Sequence, residues 1–216
     1  MIDVKNAATI VLIRRKQSKY FLLLGKRAST TSFMPSKYVF PGGVWESLDN
    51  DVPFVRGLSN QQQELLTLDT KFSGSSYLGI TAIRELWEET GLKLSSVGRF
   101  ESIPESWTGF FSDHQGPDLS NLNFFFRAIT PPGRSRRFDA RFFFCNAKYI
   151  YNNLDDFSRA SGELIHLHWI EISQAKYLEL PLITRIVIDH LVTLIKSNFT
   201  YDFIPFYPGR LNKKKL

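Results

Sequence analysis

The chain has 216 residues, 43% of them hydrophobic and 22% charged, a composition typical of one globular domain with a substantial core and not of a disordered or fibrous chain. Its formal charge is +6 with the basic residues dispersed, so it lacks the long basic stripe typical of a nucleic-acid-binding protein. Its single cysteine, Cys145, excludes an intramolecular disulfide, and no apolar segment approaches the roughly 20 residues that span a bilayer.

Four elements, two of them strands of a hairpin, are predicted before the middle of the chain. Alternating apolar residues indicate two strands around Gln17-Ser18-Lys19, and Tyr38-Val39-Phe40 is an apolar run before the tight turn Pro41-Gly42-Gly43. Ser59-Asn60 is a helix-start signal within residues 50–76. The expected bounds are Ala7 to Arg14 and Tyr20 to Lys26 for the hairpin, Lys37 to Phe40 for the next strand, Gln61 to Leu68 for the helix, and Gly74-Ser75-Ser76 for a return loop.

A second helix, expected from about Tyr77 to Thr90, carries carboxylates on one face. Glu85, Glu88 and Glu89 lie one turn apart, and each like-charge pair at this spacing costs roughly 0.2–0.5 kcal/mol. The face is either solvated surface or a site for a hard divalent cation, since Mg2+ and Mn2+ prefer carboxylate oxygen. The residues expected on the packing side are Ile80, Ile83, Leu86 and Trp87.

Strands dominate the second half of the chain. The triplets Phe124-Phe125-Phe126 and Phe142-Phe143-Phe144 are typical of buried strands, and Cys145 is expected to be a small core residue. Strands interleaved with two major helices predict an α/β (α+β) fold with a mixed sheet between helices. Strands are expected near Phe100 to Ile103, Asn121 to Ala128, Arg141 to Cys145 and His166 to Ile170, and the last helix from about Leu182 to Ser197.

The glycine turn and the acidic helix together resemble the Nudix box, which reads Gly, five residues, Glu, seven residues, then Arg-Glu-aliphatic-any-Glu-Glu-any-Gly-aliphatic. Arg84 through Leu92 fit the second half without a mismatch, and Gly91 suits the end of a helix. Gly43 matches the leading glycine, and Asp49 stands where the box has Glu. The box is split, because 34 residues separate Asp49 from Arg84 instead of seven.

Two further stretches resemble the coenzyme A diphosphatases of the Nudix motif 19 type, in which the box is interrupted. They are Ser32-Phe33-Met34-Pro35, and Thr130-Pro131 followed by Arg136 to Phe143. The resemblance covers most of residues 7–195. It implies a Nudix-like α/β/α sandwich, one domain over residues 1–216 with an insertion at about 50–76, and hydrolysis of a diphosphate with Mg2+ or Mn2+ as cofactor.

The resemblance also implies roles for the residues of the box. The Gly42-Gly43 turn lets the backbone approach closely, so the carbonyl of Gly43 can complete a metal shell. Arg84 is expected to hold the glutamates and the glycine loop in place, with an ordinary surface ion pair as the alternative. The principal metal ligands are Glu88 and Glu89, with Glu85 as a third ligand or a support.

The general base is expected outside the box. Glu163 is the candidate, because it lies six residues before Trp169, a relation found in some Nudix enzymes. A plain loop carboxylate is the equal alternative. Asp155 and Asp156 are held in reserve for the same role.

Basic side chains between the expected strands are candidates for binding substrate. Arg136 and Arg137 can bind nucleotide phosphates, since guanidinium groups bind phosphate oxygens bidentately. At least one of them should face solvent or pair with Asp139, because adjacent strand residues point in opposite directions. His166 and His168 are expected to share one strand face in a polar or structural role, in preference to binding metal.

These residues predict a metal-dependent diphosphatase that cleaves coenzyme A and acyl-CoA into 3′,5′-ADP and a 4′-phosphopantetheine product. One alternative is a Nudix hydrolase of another nucleoside diphosphate derivative, such as NADH, ADP-ribose, a nucleotide sugar or an RNA cap. A non-catalytic CoA or nucleotide sensor is the alternative from another class. The insertion is either part of the acyl or pantetheine pocket or an inert surface excursion.

The expected partner is a small nucleotide, not a nucleic acid, and the protein is expected to be soluble and intracellular, in peroxisome or cytoplasm. Lys214-Lys215-Leu216 partly matches the peroxisomal Ser-Lys-Leu address, whereas consecutive lysines are more typical of a solvated basic tail. Monomer and homodimer both remain open.

Overall fold

The chain folds into a mixed β-sheet with helices on both faces. The structure is a computed structural model that describes residues 3–31, 34–68, 70, 72–200 and 203–207, and the backbone alone of 212–215. Ser32 and Phe33 of the motif-19-like stretch and Leu216 of the tail lie outside the described residues. The strands are β1 Val4–Lys16, β2 Lys19–Arg27, β3 Tyr38–Val39, β4 Gly42–Val44, β5 Ser95–Val97, β6 Gln115–Pro117, β7 Asn123–Ile129, β8 Arg137–Asn146, β9 Leu164–Glu171, β10 Phe203–Tyr207 and β11 Asn212–Lys215. The helices are α1 Asn60–Thr67, α2 Leu78–Thr90, α3 Ile172–Ala175 and α4 Leu182–Lys196.

Strand β1 is the centre of the main sheet, whose order is β11-β10-β7-β8-β1-β2-β3 with β4 attached to β1 and β9 to β2. On one side β1 runs parallel to β8, from Val4 opposite Arg137 to Ile13 opposite Asn146. On its other side β1 is shared between two partners. Its first half pairs with β4 at residues 7–9, and its last residues, from Ile13, pair with β2. The sheet therefore divides beside β4, where the glycine turn lies.

The two faces of the sheet have separate cores, as alternation along a strand requires. Ile10 and Leu12 of β1 pack with α1 and α2 on one face, and Val11 and Ile13 pack with α4 on the other. The phenylalanine triplets are buried strands as predicted. Their side chains divide between the two cores, Phe124 and Phe143 in the first and Phe125, Phe126, Phe142 and Phe144 in the second.

The insertion, residues 50–76, packs against the same core as α2. Ser59 caps α1 by accepting a hydrogen bond from the Gln62 amide N–H, and Leu65 and Leu66 are buried in the first core. The Gln62 side-chain oxygen accepts the backbone N–H of Phe124 at 2.6 Å. The insertion is thus bound to β7 through both apolar packing and a buried hydrogen bond, so part of it belongs to the core and not to the surface.

Three sequence expectations differ from the structure. Phe100 to Ile103 is not a strand: the Phe100 ring packs edge-to-face on Phe111 in a loop, so its apolar character serves ring packing. Strands β4, β5, β6, β10 and β11 were not expected, and Gly42 and Gly43, expected in a tight turn, lie in β4 opposite Thr9 and Ala8. Strand β9 is irregular near His166, which has φ +51°, so the strict alternation expected for His166 and His168 does not hold.

Helix α4 covers the second core with one apolar side. Val187 and Leu191 are fully buried, whereas Leu182 at its start is exposed. None of the helices in the described part of the chain is both long enough and apolar enough to cross a bilayer.

Candidate metal and active site

Helix α2 presents its carboxylates beside the point where the sheet divides. Ile80, Ile83 and Leu86 are fully buried in the first core, which fixes the rotation of the helix. The helix ends at Gly91, which has φ +77° and donates its N–H to the carbonyl of Trp87 at 2.7 Å. A left-handed residue in this position favours glycine.

The two glycines of β4 allow the carboxylates to approach the backbone. Gly42 donates its N–H to Glu89 Oε2 at 2.9 Å. A Cβ atom built on Gly43 would overlap the carboxylate of Glu85. Gly43 is therefore needed for Glu85 to occupy this position, a packing reason for the leading glycine of the box.

The two halves of the split box meet at a buried ion pair. Arg84 Nε donates to Asp49 Oδ1 at 2.8 Å, and the hydroxyl of Thr81 donates to Asp49 Oδ2 at 2.7 Å. Asp49 is only 1% exposed. Burial disfavours the charged form of Arg84, but the hydrogen bond to Asp49 and the charge of Glu85 outweigh it and raise the Arg84 pKa above its ordinary value.

Arg84 also links the helix to the glycine turn. Its Nη2 donates to the carbonyl oxygen of Val44 at 2.8 Å, and its Nη1 donates to Glu85 at 2.8 Å and to Glu88 at 3.3 Å. Together with Asp49, the guanidinium of Arg84 donates hydrogen bonds to four residues at once. These partners are all groups of the protein, and three of them are carboxylates. Arg84 therefore positions the carboxylates of the site.

The glutamates crowd negative charge into a partly dry site. Burial raises the pKa of Glu85 to about 7; the charges of Glu88 and Glu163 add to the rise, and Arg84 opposes it. Burial raises the pKa of Glu89 well above its ordinary value, and the charges of Glu85 and Glu163 add to it. Burial also raises the pKa of Glu88, although that side chain is 45% exposed. The raised pKa values show that Arg84 only partly compensates the negative charge, and a bound cation would compensate more of it.

Glu163 is brought to the cluster by the loop before β9. The backbone N–H of Ser161 donates to the carbonyl of Glu88 at 2.8 Å, and the Asn152 side chain donates to the carbonyl of Gly91 at 3.0 Å. These bonds bind the loop to the C-terminal end of α2. Glu163 itself is exposed, yet its charge acts on both Glu85 and Glu89.

The reserve carboxylates have other partners. Asp155 forms an ion pair with Arg14 at 2.6 Å, which lowers the pKa of Asp155. Asp156 accepts the backbone N–H of Ser158 at 3.0 Å. Neither is among the charges that shift the pKa of Glu85 or Glu89, whereas the charge of Glu163 raises both.

Arg136 and Arg137 lie away from this cluster. Strand register places Gly43 opposite Ala8 and Ala8 opposite Arg141, whereas Arg137 lies opposite Val4, four residues further along the sheet. Four strand residues extend about 13 Å. Arg137 Nε donates to the carbonyl of Thr130 at 3.1 Å, and Arg136 is exposed. The structure does not bring these two residues to the glutamates.

Asp139 is paired with neither of those arginines. It forms a two-bond ion pair with Arg127, at 2.8 and 2.7 Å, and contacts Arg141 at 3.1 Å. This buried group lies against the insertion, since Arg127 donates to the carbonyl of Leu68 and Arg141 to the hydroxyl of Thr70. The guanidinium groups therefore fix the insertion to the sheet.

The two histidines of β9 are exposed and hold no metal-like arrangement. His168 Nδ1 lies 2.6 Å from the carbonyl oxygen of His166, and the His168 ring packs edge-to-face on Tyr38. Both contacts are structural.

The donor set at α2 fits a hard divalent cation by its chemistry. It consists of carboxylate oxygens crowded at raised pKa beside an open glycine backbone. Within the described ranges no group of three or more His, Cys, Asp or Glu side chains is already arranged to hold a metal ion. Arg84 donates to one oxygen of Glu85 and one oxygen of Glu88, so the second oxygen of each carboxylate has no bond to Arg84 and could bind a cation.

Sequence reasoning missed one cation at the site. The charge of Arg27, the last residue of β2, acts on Glu89 and opposes the rise of its pKa. The available signal was a basic residue at the end of a predicted strand shortly before the glycine turn.

Comparison with known proteins agrees with the resemblance seen in the sequence. The chain is 28% identical over 185 residues to acyl-coenzyme A diphosphatase NUDT19 of Xenopus laevis, a match that covers 61% of this chain and 49% of that protein. The chain thus spans about half the length of this relative. No protein-family model matches the chain.

Solved structures show the same fold. A NUDIX hydrolase from Alicyclobacillus acidocaldarius is similar with a TM-score of 0.67 and 24% identity, covering 89% of this chain and 93% of that one. The NUDIX domain of Shewanella oneidensis NrtR, solved with ADP ribose, has a TM-score of 0.52 and 11% identity, covering 90% of both chains. The mixed sheet between helices predicted from the sequence is confirmed.

Proposed function

We propose that this chain, a Nudix superfamily protein similar to the coenzyme A diphosphatases, is a divalent-cation-dependent hydrolase of coenzyme A and acyl-CoA. The observation that carries the proposal is the pair Glu85 and Glu89, held against the Gly42-Gly43 backbone with raised pKa values. Such a pair is destabilising by itself and becomes favourable when it binds a cation. The choice of coenzyme A is supported by the similarity to NUDT19 and by the motif-19-like stretches.

Glu85, Glu88 and Glu89, with the carbonyl of Gly43, would hold Mg2+ or Mn2+. Such a cation screens the charge of a diphosphate and lowers the pKa of bound water. Arg84 bonds to Asp49 and to the carbonyl of Val44, and these bonds hold the carboxylates and the glycine turn in position. Each of Glu85 and Glu88 uses one oxygen on Arg84 and has a second oxygen for the cation.

Glu163 is proposed as the general base. It is exposed to solvent and close enough to act electrostatically on Glu85 and Glu89. Its carboxylate would accept the proton of the water whose oxygen attacks phosphorus, while the P–O bond of the anhydride breaks. The products are 3′,5′-ADP and a 4′-phosphopantetheine or its acyl ester.

Purified protein incubated with coenzyme A and Mg2+ or Mn2+ should release 3′,5′-ADP, identified by chromatography and mass spectrometry. Glu88→Gln should lower turnover by orders of magnitude with little change in stability, because Glu88 is half exposed. Glu64→Gln, on the exposed side of α1, is the matched control and should keep full activity. Folded wild-type protein that releases no 3′,5′-ADP would overturn the proposal.

The same assay should include NADH, ADP-ribose, a nucleotide sugar, capped RNA and dephospho-CoA. A preference for any of the first four over coenzyme A would assign the chain to another nucleoside diphosphate derivative. Tight binding of coenzyme A without turnover in Mn2+ would make it a sensor. Retention of Glu85, Glu88 and Glu89 favours the hydrolase over the sensor.

A further inference from the structure

Arg27 is the last residue of β2 and lies on the sheet face that α2 covers. Along this strand Leu22 and Leu24 lie in the second core and Leu23 in the first, so alternation puts Arg27 on the face of Leu23. Its charge accordingly acts on Glu89. Strand pairing also places Arg27 opposite Leu164, the residue after Glu163. Arg27 is therefore at the rim of the carboxylate cluster, between α2 and the start of β9.

The guanidinium of Arg27 has donors without partners. Its Nε is buried and makes no hydrogen bond, and within the described ranges no carboxylate lies close enough to form an ion pair with it. Buried donors are normally paired, so an orphaned one at the edge of a site calls for an acceptor. Glu89 does not fill this need: its Oε2 accepts the Gly42 N–H, and the buried Nε of Arg27 has no hydrogen-bond partner.

Two other cations of the same elements, Arg84 of α2 and Lys26 of β2, have partners elsewhere. Arg84 bonds to Asp49, Val44, Glu85 and Glu88. Lys26, the strand neighbour of Arg27, points to the opposite face, where its ammonium lies over the Tyr38 ring at 5.9 Å. An acceptor entering beside Glu89 would thus meet the guanidinium of Arg27.

We propose that Arg27 binds an oxygen of the substrate diphosphate, an inference that rests on the proposed function. A guanidinium fork matches the oxygens of a phosphate, and the charge adds strength to each bond. The diphosphate must lie beside the carboxylates that hold the cation for its anhydride to be cleaved, and Arg27 is next to one of them. The adenosine 3′-phosphate, which is remote from the anhydride, is not its ligand.

The test compares coenzyme A with dephospho-CoA, which differ only in the 3′-phosphate and share the diphosphate. Arg27→Ala should lower kcat/KM about 10- to 100-fold for both substrates, by the same factor, the loss expected for charged hydrogen bonds. Arg27→Lys keeps the charge without the fork and should recover part of the loss. Lys26→Ala is the control on the same strand and should stay within about twofold of wild type for both substrates.

Outcomes separate this inference from the proposed function. If the wild-type protein hydrolyses none of the diphosphates, the proposed function is wrong, and the role of Arg27 that rests on it is wrong too. Active wild type with Arg27→Ala and Arg27→Lys at full kcat/KM overturns the role of Arg27 alone. So does a loss confined to coenzyme A, which would assign Arg27 to the 3′-phosphate. A lowered Mg2+ concentration for half-maximal rate with unchanged KM would make Arg27 a counter-ion of Glu89 and also overturn it. Thermal unfolding checks that each variant is folded.

Discussion

Asp49 shows how a split motif can work as a whole one. It is 35 positions from Arg84 in sequence, yet the two side chains form a buried ion pair. The Asp49 carboxylate also accepts the backbone N–H of Glu46 and the hydroxyl of Thr81. Asp49 lies in the short 3-10 helix Ser47–Asp51, which packs beside α2.

Removing this carboxylate should be severe. Asp49→Ala removes the buried partner of Arg84 while Arg84 stays buried. Breaking a buried ion pair in this way lowers the free energy of unfolding by roughly 3–5 kcal/mol. Urea denaturation should show that fall in the free energy of unfolding. Asp51→Ala, two residues along and exposed, is the control and should change it by less than about 0.5 kcal/mol. A fall below about 1 kcal/mol in Asp49→Ala would show that the pair contributes little.

Single residues differ in how far sequence predicts them. The box pattern assigns Asp49 and Arg84 to one motif, but the ion pair between them was not predicted and is a finding of the structure. Arg136 and Arg137 looked like phosphate ligands by composition, but strand register separates them from Gly43. Arg27 has no motif around it, and its relation to Glu89 depends on how the sheet divides.

The insertion is an element of the core. Leu66 of α1 is 1% exposed, and Leu68 just after the helix is 43% exposed. Leu66→Ala should therefore cost about 2–5 kcal/mol of unfolding free energy through lost burial and a cavity. Leu68→Ala removes the same atoms from an exposed position and should cost less than about 0.5 kcal/mol. Equal, small effects in urea denaturation would mean that the insertion is a loose excursion.

Helices are better predicted than the short strands. The bounds of α1, α2 and α4 each lie within one residue of expectation, because capping residues and apolar periodicity are local signals. The run Phe100 to Ile103 is apolar because Phe100 packs on Phe111, a contact between distant parts of a loop. Strands β5 and β6 have three residues each, too short for a period-2 pattern to stand out.

At the scale of the whole molecule, charge is distributed unevenly. The chain has a formal charge of +6, yet the site on α2 concentrates carboxylates whose pKa values are raised. That site joins three parts of the fold: α2, the β4 turn and the loop before β9. Repulsion between the carboxylates therefore destabilises the packing of all three parts. Neutralising that negative charge should stabilise the entire domain.

Mg2+ should therefore raise the thermal unfolding midpoint. A ligand at 100 times its dissociation constant stabilises the folded state by about 2.7 kcal/mol, or roughly 5–10 °C for a domain of this size. EDTA should reverse the shift. Glu89→Gln should remove most of the Mg2+-dependent rise in the unfolding midpoint, because it takes a charge from the buried cluster. Without metal the variant should be at least as stable as wild type, since a neutral amide is buried at lower cost than a carboxylate. Glu64→Gln leaves the cluster intact, so its midpoint should rise with Mg2+ as that of wild type does. If the wild-type midpoint does not change at saturating Mg2+, cation binding at these carboxylates is contradicted.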